Sequence, residues 1–394
     1  MPKNLTASLL GRIAVTIACR IALNTSRRFI YPFAPDLSRA LGVPLTAITS
    51  LIAVNWATTL LALVFGPVAD RVGYRAMMIG GMAMLAAGML AAGVHPGLAV
   101  LVASQFLAGL GKSIFDPAVQ AYVGERVPYR RRGFAVGLLE TAWAGSTLLG
   151  IPLLALLIDR AGWRAAFLAL GLSAVLGLVL LWRALPAEPR PPHAARTRFD
   201  YRRGLRELAG NPAAWGMVVY AFLKNVAMDN LFVVYGVWLE TSFQLSLLAV
   251  GMGTAVIGAA ELAGEFITAA VADRVGLKRL AVGGVGFCVA TYAALPLVAT
   301  SAGTALAVLF VLFCVFEMTI VTVISLNTEL APGARATMLS AYYAAAGLGR
   351  VVGALMGGPV WLAGGIAATA LTSSAVSALA LAALVWGLRG WKHH

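Results

Sequence analysis

The sequence predicts an all-α membrane protein with twelve transmembrane helices in two pseudo-symmetric six-helix bundles. Three observations carry the prediction: sustained apolarity, a one-sided distribution of basic residues, and an internal repeat. Of 394 residues 60% are hydrophobic and 12% charged, with a mean hydropathy of +0.85. Soluble domains carry roughly a quarter charged residues. Apolar runs of about twenty residues recur along the chain, each long enough to cross roughly 30 Å of hydrocarbon as a helix. A soluble globular class is excluded.

The net charge of +14 raises the question of a nucleic-acid partner, and the placement of the basic residues answers it. With the N-terminus inside, 21 of the 30 Lys and Arg fall in cytoplasmic ends and loops; the opposite loops hold Arg39, Arg160 and Arg164. That is the positive-inside asymmetry, so no nucleic acid is needed to explain the charge. Cys19, Cys288 and Cys314 lie on different apolar segments and read as buried thiols. No cofactor is expected, no Cys/His spacing suggests a metal, and no nucleophile elbow or phosphate loop points to an enzyme.

Spans are predicted to begin at residues 12, 45, 77, 98, 133 and 164, then at 213, 247, 280, 303, 336 and 366. The expected domains are a first bundle over 1–185, a basic cytoplasmic linker over 186–212, and a second bundle over 213–394. The linker holds Pro186, Pro212 and the basic Arg196, Arg198, Arg202, Arg203 and Arg206. The repeat has an offset of 203 residues. Ala69-Asp70-Arg71-Val72-Gly73 returns as Ala272-Asp273-Arg274-Val275-Gly276, and Gly150 corresponds to Gly353. Glu125, Pro128 and Arg132 return as Glu329, Pro332 and Arg335 within one residue of that spacing. Duplicated bundles of this kind typify transporters that rock about a central site.

The run from Gly66 through Asp70, Arg71, Gly73 and Arg75 resembles the signature of the major facilitator superfamily in the loop between spans 2 and 3. Tyr74 departs from it where that family often has a basic residue. The resemblance implies a gating role for Asp70, Arg71, Gly73 and Arg75, and for Asp273 and Arg274 in the second copy, with Asp70 holding the inward face shut. A carboxylate near a helix N-terminus meets partial positive charge and unpaired amides, which suits a latch; Asp70 and Arg71 can equally cap a tight turn. Gly145, Gly150 and Pro152 on span 5 resemble in part the Gly-Pro-rich helix of drug:proton antiporters. The Arg expected on span 4 of that branch is here Gln105.

Charges inside spans are where specificity is expected, since each costs at least about 2.5–3.5 kcal/mol at membrane depth unless paired or hydrated. The bases are Arg20, Arg27, Arg28, Lys112, Lys224 and Arg350; the acids include Asp116, Glu140, Asp229, Glu261, Glu265 and Glu317. Gln105, Lys112 and Asp116 fall at i, i+7 and i+11, a single polar stripe on span 4. Thr16, Arg20, Asn24 and Arg27 line up likewise on span 1. The proton-coupling candidates are Asp116, Glu317 and Glu140. The substrate-binding candidates are Arg20, Asn24, Gln105, Lys112, Lys224 and Arg350. Lys112 and Asp116 at i,i+4 can also be a self-neutralising structural pair. Arg27 and Arg28 are expected to snorkel to the outer interface or pair with Asp36.

Together these readings predict a secondary active transporter working by alternating access, with proton-coupled efflux of a small amphipathic or charged molecule. Uptake of an organic anion or zwitterion, and a passive conduit or lipid translocator, are the alternatives. The expected partners are a small-molecule substrate, protons and membrane lipids. The chain is expected as a monomer in the cell inner membrane with both termini cytoplasmic.

Overall fold

A computed structural model describes residues 7–61, 65, 68, 72–127, 129–186, 210–330 and 335–389. The helices in chain order are α1 (Ala7–Arg28), α2 (Ile30–Leu41), α3 (Leu45–Ala57), α4 (Tyr74–Val94), α5 (Leu98–Arg126), α6 (Tyr129–Gly145) and α7 (Ile151–Ala184). They continue as α8 (Pro212–Phe232), α9 (Tyr235–Phe243), α10 (Leu247–Val275), α11 (Leu277–Val298), α12 (Ala302–Leu330) and α13 (Arg335–Gly387). No strand occurs among the described residues. Helices are what hydrocarbon demands, because each backbone N–H and C=O must find its partner within the segment.

α7 carries a non-helical break at Gly162, and α13 carries one at Gly364 and Gly365. Divided there, and with α1–α2, α8–α9 and α6 with the first part of α7 each read as one span, the elements accommodate the twelve predicted spans. Large apolar side chains such as Leu153, Leu176, Phe266, Leu297 and Leu362 face outward. In a soluble protein such a surface would drive association; here it is the face that lipid covers.

The chain divides into two compact units, Met1–Arg196 with Leu247–Ala255, and Thr197–Ser246 with Val256–His394. Within the first, α4 packs on α5 and α7, and α1 lies against α5, α6 and α7. Within the second, α8 and α13 form the most extensive pairing, with α11 on α12 and α13. Most of the predicted linker, residues 187–209, lies outside the described residues.

The repeat extends to backbone geometry. Gly73, before α4, has φ 98 and ψ 142; Gly276, before α11, has φ 86 and ψ 138. Only glycine adopts that region without strain, so both copies of the motif need their terminal Gly for one turn. Asp70 and Arg71, the side chain of Asp273, and those of Glu125, Glu329, Arg132 and Arg335 lie outside the described residues, as do Pro128 and Pro332.

With lipid as solvent, close helix approach must come from small residues. A methyl group placed on Gly353 of α13 would lie 2.6 Å from the Val226 carbonyl oxygen and 2.9 Å from the Asp229 Cβ on α8. Its repeat partner Gly150 meets Thr25 of α1 in the same manner. Gly353→Ala is therefore expected to destabilise the second unit by about 1–3 kcal/mol through overpacking. Gly283→Ala on α11, where nothing lies within 4 Å, should be tolerated. Equal apparent melting temperatures for the two purified variants would show that the α8–α13 seam is not tight.

Candidate functional site

The first unit gathers charged side chains from three helices into one network. On α5, Lys112 and Asp116 share a face one turn apart, and Lys112 Nζ donates to Asp116 Oδ2 at 2.6 Å. Arg20 of α1, itself buried, reaches the same carboxylate, with Nε 3.2 Å from Asp116 Oδ1. Its two terminal nitrogens donate to Glu140 of α6, at 3.1 Å to Oε1 and 3.4 Å to Oε2, and Nη1 also donates to the Leu139 carbonyl at 2.9 Å. Two bases and two acids thus balance. Charge-assisted hydrogen bonds between such partners offset part of the cost of burying them.

The two acids differ in access: Asp116 is 23% exposed and Glu140 43%. α6 is followed by a π-helical turn, Ser146–Gly150. Such turns insert one residue's worth of rotation into a helix.

Two turns further along α1 the chemistry changes. Arg27 Nε donates to Asn55 Oδ1 of α3 at 2.6 Å, and the Asn55 amide donates to Gln105 on α5, at 3.0 Å to the backbone oxygen and 3.1 Å to Oε1. The Arg27 guanidinium lies 4.3 Å from the Trp56 ring centre, and that of Arg28 lies 4.3 Å from Trp143. Both arginines are buried, not snorkelled as the sequence suggested. Asp36 serves Arg39 at 3.2 Å and the Trp163 indole N–H at 2.8 Å instead. Asn24 is fully buried, and among the described residues neither its amide nitrogen nor its oxygen has a hydrogen-bond partner; the same holds for Gln105 Nε2.

In the second unit, buried Lys224 of α8 donates to the Phe316 carbonyl at 3.2 Å and to Thr319 Oγ1, with its ammonium 4.2 Å from the Phe316 ring centre. A cavity of about 10 Å³ beside it is lined by Lys224, Cys288, Tyr292 and Ser377 among others; that is about one water. Glu317 follows Phe316 on α12 and is 9% exposed, its Cβ close against Gly264 of α10. Arg350 of α13 pairs with the fully buried Asp229 of α8 at 3.0 Å. Of the gating candidates, Arg75 donates to the Trp182 carbonyl at 2.5 Å, and Arg274 is exposed in the last turn of α10.

The structure therefore brings Arg20, Lys112, Asp116 and Glu140 together, links Gln105 to Arg27 through Asn55, and holds Lys224, Glu317 and Arg350 in the other unit. Sequence reasoning missed Asn55 and the burial of the arginine pair. The signal was present as one Asn and two Trp on otherwise apolar helices.

The pattern of the Major Facilitator Superfamily matches residues 16–354. The chain belongs to this superfamily. It is a membrane-embedded transporter and not an enzyme. Among its relatives, the uncharacterized MFS-type transporter YwfA of Bacillus subtilis is 22% identical over 94% of this chain and 90% of its own. The multi-drug resistance efflux pump PmrA homolog of Lactococcus lactis is 25% identical over 77% and 75%. The gentisate transporter of Corynebacterium glutamicum is 26% identical over 55% and 50%. A crystal structure of a bacterial homolog of the human lysosomal transporter Spinster matches the fold with a TM-score of 0.79 at 14% identity, covering 97% of this chain and 96% of that one.

Proposed function

We propose that this chain is a proton-driven secondary transporter of the cell inner membrane, exporting a small amphipathic or charged molecule by alternating access. The observation that carries the reading is the four-membered network of Arg20, Lys112, Asp116 and Glu140. Protonating Glu140 frees Arg20 from one of its two carboxylates, and Asp116 then shares Arg20 and Lys112 alone. A change of partners of that kind lets proton binding bias one arrangement of the half over another. Glu317 is the proton-coupling candidate in the second half.

In this reading the halves 1–185 and 213–394 are the moving bodies, the 186–212 linker and both termini face the cytoplasm, and the working unit is a monomer among membrane lipids. Asp70, Arg71, Gly73 and Arg75, with Asp273 and Arg274, form the inward latch. Arg20, Asn24, Gln105, Lys112 and Lys224 contact substrate. Export is supported by the efflux-pump relative, which spans most of the chain. Uptake of an organic anion is favoured instead by the buried Arg27 and Arg28 and by the gentisate transporter relative.

Proteoliposomes with an imposed pH gradient test the reading. Uphill movement of a carried compound should collapse on adding a protonophore, and its sign against the gradient separates export from uptake. Downhill flux indifferent to the protonophore would make the chain a passive conduit.

A further inference from the structure

We propose that the cavity beside Lys224 is a binding site for one halide-sized anion such as chloride, held by the Lys224 ammonium and the Ser377 hydroxyl. The site goes beyond the transport reading above and is independent of its direction.

Lys224 stands apart from the bases of the first-unit network. Arg20 and Lys112 each meet a carboxylate there. Among the described residues Lys224 forms no ion pair: Asp229, five residues on along α8, lies against Arg350, and Glu317 has its Cβ against Gly264 of α10. Two of the three ammonium hydrogens are placed, on the Phe316 carbonyl and on Thr319 Oγ1. Thr319 gives its own hydrogen to the same carbonyl at 2.7 Å, so both acceptors are neutral. They and the Phe316 ring, 4.2 Å away, ease the burial of the charge without cancelling it. One ammonium hydrogen remains to be used.

The cavity of about 10 Å³ lies beside that group, and its lining comes from α8, α11, α12 and α13 of the second unit alone. It has room for a single small species. The serines of α13 show what such a species must do. Ser373 donates to the Ala227 carbonyl at 2.8 Å and Ser374 to the Val289 carbonyl at 2.9 Å. Ser377, one turn after Ser373 and 4% exposed, lines the cavity and makes no hydrogen bond among the described residues.

Cys288 and Tyr292 of α11 complete the polar lining, and the Tyr292 hydroxyl donates to the Met228 sulfur, a weak acceptor, at 3.5 Å. Ammonium, hydroxyl and thiol all donate, and no carboxylate lines the cavity. The occupant therefore accepts hydrogen bonds. Water can do so but brings no charge, whereas a monatomic anion accepts from every side and balances the ammonium. Carboxylates, phosphate and sulfate are too large for the space. Val285, Phe316 and Ala380 make the remaining wall apolar, which leaves the attraction between ion and ammonium weakly screened.

The test is thermal unfolding of the purified full chain in sodium chloride or sodium bromide against sodium gluconate at equal ionic strength. Matched ionic strength removes general screening, and gluconate is an anion too large to enter. Chloride and bromide should raise the melting temperature along a saturable curve, as a ligand of the folded state does. Chloride NMR line broadening reads the bound ion directly. Ser377→Ala is the sharpest variant, because it removes a hydroxyl that bonds to nothing among the described residues. Its melting temperature in gluconate should match the unmodified chain, while chloride affinity falls about tenfold. Lys224→Met should abolish the chloride effect, and line broadening on its monodisperse fraction reads binding even where the fold is weakened.

Equal melting temperatures in chloride and gluconate, with no chloride line broadening, would overturn the proposal and assign the cavity to water. A chloride effect of unchanged size in Ser377→Ala or in Lys224→Met would overturn this location. Gradient-driven flux enters none of these measurements, so its absence would sink the transport reading and leave the ion site standing.

Discussion

Asp116→Asn is expected to abolish uphill transport and to destabilise the first unit, while Lys112→Met added to it restores folding without restoring transport. In the single variant Arg20 keeps Glu140 while Lys112 loses Asp116, so one buried positive charge is left over. Breaking a buried ion pair by removing one partner costs about 3–5 kcal/mol. Asp116 is 23% exposed, so the low end of that range applies. In the double variant the charges balance again: Arg20 keeps Glu140 at 3.1 Å and the Leu139 carbonyl at 2.9 Å. If the network only neutralises itself, that protein should transport normally. If it handles protons, it should fold and bind yet fail to accumulate substrate against a gradient. Apparent melting temperature and gradient-driven flux, measured on the same preparations, separate the two. Wild-type uphill flux by the double variant would remove α5 from the coupling mechanism.

The spans were legible because length and apolarity suffice where hydrocarbon obliges every backbone group to bond within its own segment. The repeat was legible as well, and Gly73 and Gly276 share one backbone conformation. Breaks at Phe29, Gly162 and the π-helical turn Ser146–Gly150 were not, since helix bends depend on what packs against them. Lys112 with Asp116 could be read from i,i+4 spacing. Arg20 with Asp116 and with Glu140, 96 and 120 residues apart, could not. Arg27 and Arg28 show the limit most clearly. Closeness to a span end suggested snorkelling, but Trp56, Trp143 and Asn55 hold both inside. No periodicity on α1 alone reveals which partners other helices will present.

The second charge pair is expected to behave in the opposite way. Asp229 and Arg350 lie 3.0 Å apart, with the carboxylate fully buried. They sit within the seam where Gly349, Gly353 and Gly357 bring α13 against the backbone of α8. A seam closed by glycines on both sides of the pair gives it little freedom to exchange partners, and we propose that its role is to hold α8 and α13 in register. Arg350→Met leaves a carboxylate in the protein interior and should cost about 3–5 kcal/mol, seen as a large fall in melting temperature and expression. Asp229→Leu with Arg350→Met removes both charges; replacing a buried pair with apolar side chains of similar volume is often neutral or stabilising. The double variant should therefore recover stability and keep gradient-driven transport near the unmodified level. A stable double variant that cannot drive uphill flux would instead place Arg350 among the groups that meet substrate or proton, and the seam would then be part of the moving machinery.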